Sequence, residues 1–322
     1  MSWLIILFLI MSYYLVITGW TLAYATLSLL GMDTTFSIFI SSYWPVLFFI
    51  VCVIITGLVV SLGVKRGIER VTSILVPFSF VILVVLAIYS VTLSGFGEGV
   101  EYLFTPDFSV WNDPSLWGAA FGQAFFSLSV GMGVMLTFGM YLGRDINIQR
   151  SSLIITVADL MVAMLAGLII FPLVFTFGLE PALGAELAFT VLPQAFDLIP
   201  FGQVLAVAFF LLLFFAALTS AISMLEVNVT TIMNRTKMDR RKTSLLLTMG
   251  ALAVGIFPCL SYTQASISIS GIRILDIMDE TVGTLGLPIA AVFISIVFSW
   301  YFERRELARE IPGRWFSFVL LT

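Results

Sequence analysis

Two carboxylates stand well inside apolar segments: Asp159, in SSLIITVADLMVAMLAG, and Glu226, in TSAISMLEVNV. An ionised side chain at bilayer depth costs about 2.5–3.5 kcal/mol on insertion scales, so such residues face a cavity or a partner. No span carries a Lys or Arg that could pair with Asp159. Its chemistry is therefore that of holding a cation or a proton, with a structural hydrogen-bond partner as the plain alternative. Glu226 lies nearer the end of its span, where backbone or hydroxyl groups could satisfy it instead.

Three further groupings carry oxygen chemistry. In LLLFFAALTSAISM, Ala216, Thr219, Ser220 and Ser223 recur at i, i+3, i+4 and i+7, which is one helical face. Such a stripe serves close helix packing. It equally suits a hard monovalent cation, which takes hydroxyl and carbonyl oxygens. In Gln123–Gly133, QAFFSLSVGMG, serines and glycines occupy the centre of an apolar run, and Gly139 with Gly143 continues a GxxxG packing pattern. Packing is again one reading; the other is a helix broken at mid-membrane that turns backbone amides and carbonyls toward a solute. Tyr13 and Tyr14 lie mid-span with Thr18 one turn on, and a phenol at that depth needs a partner.

The elements that must hold these residues follow from composition. Hydrophobic residues make up 60% of the chain and charged residues 11%, with a mean hydropathy of +1.11, far outside the range of water-soluble domains. A hydrocarbon core of roughly 30 Å takes about 20 apolar residues per helix. Eight segments qualify, near 4–29, 43–64, 74–95, 117–143, 152–178, 202–233, 243–262 and 281–301, and a ninth begins at Trp315. Their continuity excludes a β-barrel, whose strands alternate every second residue. The chain reads as an all-α polytopic membrane protein.

Fourteen of the fifteen basic residues fall in alternate loops, around Lys65–Arg70, Arg144–Arg150, Arg235–Lys242 and Arg304–Arg314; Arg273 stands alone in the other set. The positive-inside rule then places the amino terminus in the cytoplasm. The first segment has no basic flank and is too long for a signal peptide. Cys52 and Cys259 lie within spans, so neither a disulfide framework nor a metal-binding pair is indicated. The chain has no histidine, which excludes HExxH zinc sites and Ser-His-Asp hydrolysis. An intramembrane Ser-Lys dyad fails for want of a lysine in any span. No nucleic-acid footprint is present.

The order of motifs resembles that of the prokaryotic amino-acid transporters of the neurotransmitter:sodium symporter family. The matching stretches are YYLVITGWTLAY from Tyr13, KRGIERVTSILVP from Lys65, FTPDF followed by WGAAFGQAFFSLSVGMG, FTVLPQAF from Phe189, FFAALTSAISM from Phe214 and LDIMDETVGTLG from Leu275. The resemblance implies part of the leucine-transporter-type fold of two inverted five-helix repeats. Residues 1–322 would form one transmembrane domain, about eight complete helices matching the family's third to tenth, plus the start of the eleventh. On that match the chain is a fragment without the first two and last two helices, and the missing first helix would supply about half of the amino-acid site.

Carried over by position, Ile10 and Tyr14 look like pocket residues, with the Tyr14 hydroxyl reaching the substrate carboxylate. Phe126 resembles the lid above the substrate, and Ser129, Met132 and Met224 line its side-chain pocket. Ser127 and Asp159 match ligands of a first sodium, and the Ala216 carbonyl with the Thr219 and Ser220 hydroxyls those of a second; Ser220 also borders the substrate. Asp279 resembles the acidic half of an outer gate. Where chloride-independent relatives carry a glutamate this chain has Ala163, and Asp159 itself could supply the charge, which favours chloride independence. The position of an inner-gate aspartate is Asn234. Gly67 and Pro77 reproduce a Gly-x9-Pro pattern at which the helix is expected to unwind.

The expected function is sodium-coupled symport of a neutral, hydrophobic or aromatic amino acid by alternating access. Sodium serves as the coupling ion and no cofactor is expected. The partners are the amino acid and the bilayer of the cell membrane, with homo-oligomerisation left open. A proton-coupled transporter of the same fold, with Asp159 as proton carrier, is one alternative. An ion channel is another, although unlike ligands on different helices of one chain suit a channel poorly.

Overall fold

A computed structural model describes residues 2–301, apart from 33, 144–145, 180, 182–184 and 186. The ninth apolar segment, from Trp315, lies outside the described residues. The helices are α1 (Ser2–Leu30), α2 (Phe36–Ile40), α3 (Trp44–Ser61), α4 (Glu69–Ser90), α5 (Phe96–Phe104), α6 (Pro114–Ser127), α7 (Val134–Gly139), α8 (Ile148–Thr176), α9 (Leu192–Asp197), α10 (Gly202–Thr236), α11 (Arg240–Ser261), α12 (Ile274–Met278) and α13 (Gly286–Tyr301). A two-residue antiparallel ribbon pairs Ser268 with Arg273 and Ile269 with Ile272. Among the described residues seven helical stretches are long and apolar enough to cross a membrane. The fourth apolar segment, 117–143, is divided between α6 and α7.

The bundle is organised around α1, which packs against α3, α10 and α11. A helix apolar on every side is either enclosed or faces lipid, and both cases occur here. Along α1, Ile10, Met11, Val16 and Trp20 are at most 1% exposed. In α8, by contrast, Leu153, Leu160 and Met161 are more than half exposed, and its main contacts are with α4, α5 and α9. At one end of α1, Trp20 and Tyr24 meet Phe36, Phe39, Phe189, Phe210 and Tyr262 with ring centroids 5.0–5.8 Å apart. The Tyr24 hydroxyl also donates to the Phe189 carbonyl at 3.1 Å. This aromatic cluster fastens α2 and the π-helical turn Leu187–Val191 over the bundle.

Local signals explain where the elements begin. Asp113 caps α6 by accepting from the Ser115 amide at 2.9 Å, with Pro114 in the first turn. Those bonds hold the Asp113 carboxyl below the usual carboxylate range, the backbone bond from Ser115 contributing most. The expected unwinding at Pro77 is corrected: Pro77 lies inside α4, which runs unbroken from Glu69. The irregular turn is instead a π-helical one at Val64–Ile68, which contains Gly67. One missing amide donor is tolerated within a helix, whereas five residues of widened helix absorb the change in chain direction before it.

At the end of the bundle that carries most of the basic residues, Glu226 is fully buried. It forms an ion pair with Arg240 from the first turn of α11. The Tyr141 and Thr230 hydroxyls both donate to its Oε1, at 2.9 and 3.0 Å, and Arg240 Nε donates to the Val60 carbonyl at 3.0 Å. One carboxylate thereby ties α10, α11, α3 and the residues after α7 together. Removing one member of a buried pair strands the other. Arg240→Ala is expected to cost about 3 kcal/mol, read as a lower thermal midpoint in lipid nanodiscs. Glu226→Gln added to it should restore part of the loss, because no buried charge then remains.

Candidate functional site

The break between α6 and α7 has an explicit backbone basis. Ser129 (φ 54°), Gly131 (φ 86°) and Gly133 (φ 73°) all take left-handed conformations, which end α6 and re-aim the chain into α7. Such angles cost a side chain roughly 1–2 kcal/mol and cost glycine little. At Gly131 space is also decisive, because a Cβ there would stand 2.9 Å from the Ala291 Cβ and 3.0 Å from the Leu287 carbonyl oxygen. The turn therefore sits directly against α13. Its amides are partly recovered by bonds from Leu128, Ser129 and Val130 to the carbonyls of Ala124, Phe126 and Phe125.

Beside the break lies a cavity of about 410 Å³, lined by Tyr14, Gln123, Phe126, Ser127, Ser129, Met132, Val134, Asp159, Ala216, Thr219, Ser220, Ser223 and Met224. Four elements contribute: α1, the α6–α7 break, α8 and α10. Among these residues none is basic, and every polar side chain bears oxygen, Gln123 adding the one side-chain nitrogen. The Ser127 hydroxyl donates to Asp159 Oδ1 at 2.6 Å, so the α6 end and the α8 carboxylate are already in register. On the opposite wall the Tyr14 hydroxyl lies within hydrogen-bonding reach of Ser220. Thr219 Oγ1 donates to the Ala216 carbonyl at 2.9 Å, and Ser223 Oγ to the Thr219 carbonyl at 3.0 Å. The Tyr14 and Phe126 rings are 6.4 Å apart and tilted by 53°, forming an aromatic flank.

Of the residues singled out from sequence, Tyr14, Phe126, Ser127, Ser129, Met132, Asp159, Ala216, Thr219, Ser220 and Met224 converge on this one cavity. Ile10 does not: it is fully buried in the core and is not among the lining residues. Asp279 lies elsewhere, at the start of the π-helical turn Asp279–Leu285, within hydrogen-bonding reach of Tyr13. Gln123 and Ser223 also line the cavity, although the sequence reading, which placed Ser223 in the stripe and Gln123 at the start of the serine-glycine stretch, gave neither a role of its own. Both were legible, since Gln123 is one turn before Ser127 and Ser223 completes the stripe that begins at Ala216. Glu226, an open case in the sequence, is held in the Arg240 network and takes no part in the cavity. Two more hollows, of about 260 and 400 Å³, share Thr34, Pro193 and Asp197 at the α1–α2 and α9 end of the bundle.

A membrane helix broken at a cavity of converging oxygen atoms, with the other helices continuous around it, defines a multi-pass transporter rather than an enzyme. The family model for the sodium:neurotransmitter symporter family matches residues 30–316, and the chain belongs to that family of secondary transporters. It is 39% identical over 315 residues to the uncharacterized sodium-dependent transporter YhdH of Bacillus subtilis, covering 94% of this chain and 70% of the relative. An uncharacterized sodium-dependent transporter of Haemophilus influenzae is 32% identical over 335 residues, covering 96% and 73%. The crystal structure of MhsT in complex with L-phenylalanine superposes with a TM-score of 0.90 at 36% identity, covering 99% of this chain and 76% of that one. The all-α, leucine-transporter-type fold expected from sequence is thus the fold observed.

Two measurements test this geometry. Cys52 and Cys259 are buried, so the unmodified protein should resist a membrane-impermeant maleimide in open membrane sheets. Ser129→Cys and Ser223→Cys should react, and Ser244→Cys, 1% exposed in the core, should not. Gly131→Ala should cost about 2 kcal/mol or more through backbone strain and overlap with α13, seen as a lower thermal midpoint.

Proposed function

We infer that the protein works as a sodium-coupled symporter of a neutral amino acid with a hydrophobic or aromatic side chain. The observation that carries this reading is the gathering of Ser127, Asp159, the Ala216 carbonyl, Thr219 and Ser220 around a cavity that also holds Tyr14, Phe126, Met132 and Met224. Hard cations prefer oxygen ligands, and the negative carboxyl end of α6 adds to the attraction. Ser127 and Asp159 would hold one sodium. The Ala216 carbonyl with the Thr219 and Ser220 hydroxyls would hold a second. The amino-acid side chain would rest on Met132, Met224 and Ser129 beneath Phe126, its carboxylate meeting the Tyr14 hydroxyl. The L-phenylalanine bound in MhsT and the sodium dependence named for the bacterial relatives support both halves of this assignment.

On the same reading the end bearing Arg235–Lys242 faces the cytoplasm, the membrane is the cell membrane, and Asp279 is the acidic half of the outer gate. Two sodium ions with a zwitterion make transport electrogenic, worth about 2.3 kcal/mol per charge per 100 mV. Sodium that orders the broken segment prepares the pocket for substrate, which is coupling by population shift.

The test is uptake of labelled phenylalanine by the full-length transporter in proteoliposomes. Replacing sodium by choline at fixed pH should abolish uptake, while replacing chloride by gluconate should leave it. Asp159→Ala should raise the sodium concentration for half-maximal uptake at least tenfold. Uptake indifferent to sodium but driven by an inward proton gradient, and lost in Asp159→Asn, would instead assign Asp159 to the proton.

A further inference from the structure

Tyr13 points away from the cavity to which its neighbour Tyr14 belongs. It is 2% exposed, and its hydroxyl lies within reach of the Asp279 carboxylate, both standing beside Gly283. A buried phenol without a partner is costly, and Asp279 is the acceptor this packing offers it. Asp279 itself remains exposed, so the phenol engages the carboxylate from the core side and leaves its outer side accessible.

The surrounding backbone is built to permit this contact. Asp279 opens the seven-residue π-helical turn Asp279–Leu285, which packs on α1. A Cβ at Gly283 would lie 2.5 Å from the Tyr13 hydroxyl and 3.1 Å from Asp279 Oδ1. The phenol and the carboxylate therefore converge on the face of that turn where residue 283 has no side chain. π-Turns inside helices are seldom neutral ornaments, because they sacrifice helical geometry for a local arrangement. One turn earlier, Asp276 has a phenol of its own: the Tyr262 hydroxyl donates to Asp276 Oδ1 at 2.8 Å, and the Arg273 guanidinium lies 4.2 Å above the Tyr262 ring. Two of the three acids of this segment, Asp276 and Asp279, thus meet phenols from different elements, Tyr262 at the end of α11 and Tyr13 in α1. Only Asp279 is held by the helix that forms a wall of the cavity.

We propose that Tyr13 is a positioning residue of the outer gate, aiming the Asp279 carboxylate and linking its position to the α1 wall that carries Tyr14. This rests on the reading of Asp279 as the gate's acidic half. Tyr13 acts through Asp279, so its removal by Tyr13→Phe, which keeps the ring packing, has the same effect as losing the carboxylate's charge.

A double-mutant cycle on phenylalanine uptake by the full-length transporter in proteoliposomes tests it, with KM and the maximal rate read separately and thermal midpoints recorded. Tyr13→Phe and Asp279→Asn should each raise KM about tenfold, the scale of one hydrogen bond to a charged group, with the maximal rate within about twofold of the parent. The double variant should be no worse than either single variant, and Gly283→Ala should reproduce Tyr13→Phe. If Asp279→Asn raises KM while Tyr13→Phe does not, or if the two effects multiply, the positioning role is overturned and the gate stands. If Asp279→Asn leaves KM unchanged, the gate assignment fails and the role of Tyr13 fails with it. A lower thermal midpoint in Tyr13→Phe with unchanged KM makes the bond purely structural and also overturns the proposal.

Discussion

Backbone amides and carbonyls at bilayer depth have no water to bond, so a chain in lipid remains helical unless protein shelters the places where it does not. Residues 128–133 are such a place. Three left-handed residues stop α6, and the amides of Leu128, Ser129 and Val130 fold back onto its last carbonyls. Gly131 lies against Ala291 and Leu287 of α13. This sheltered break aims Ser127 at Asp159 and brings Ser129 and Met132 to the wall shared with α10. Had α6 continued as a regular helix into α7, a face of it would have presented these residues along a straight line. The break gathers them around one volume.

The two intramembrane carboxylates show how differently the same group can be treated. Glu226 is enclosed and saturated, with an arginine and two hydroxyls directed at it from neighbouring elements. A pair of this kind anchors structure because neither charge can be left without the other. Asp159 has the Ser127 hydroxyl and lines a cavity in which no described residue is basic. Its negative charge is offset by no fixed positive group in that volume. A carboxylate held in this way is suited to a mobile cation, and the polarity of the α6 carboxyl end points in the same direction.

How much of this was legible follows the range of the interactions. Segment lengths come from apolar runs, which is why α1, α3, α8, α10 and α11 begin and end within a few residues of the apolar segments. The broken helix was legible because SLSVGMG combines glycine with serine where lipid rewards neither. The stripe from Ala216 to Ser223 was legible because helical periodicity is local. Glu226 was not resolved, since its partner Arg240 lies beyond a turn and reads as one more basic loop residue. Pro77 misled for a related reason: proline announces a missing donor, but where the chain yields depends on the neighbouring elements, and the widened turn falls at Val64–Ile68. Ile10 was placed by position in the family pattern, while the packing of α1 buries it in the core, and it is not among the residues that line the cavity.

Coupling between a cation and a solute requires that each alter the free energy of the other, and the effect is reciprocal. Ser220 offers a direct route. It lies within hydrogen-bonding reach of Tyr14 on the wall assigned to the amino acid, and it belongs to the α10 stripe with Ala216 and Thr219. On the proposed reading, a cation that draws the Ser220 oxygen toward the stripe would redirect the partner available to Tyr14, and a carboxylate bound by Tyr14 would compete for the same hydroxyl. Ser127 plays the corresponding part at the break, since its bond to Asp159 would be exchanged for ligation of an ion between them. Ser127 and Asp159 satisfy each other within the protein, so on the proposed reading an ion bound between them would exchange an existing hydrogen bond for ligation. Such an exchange lowers the net gain on binding, which would keep affinity moderate and allow release on the far side of the membrane.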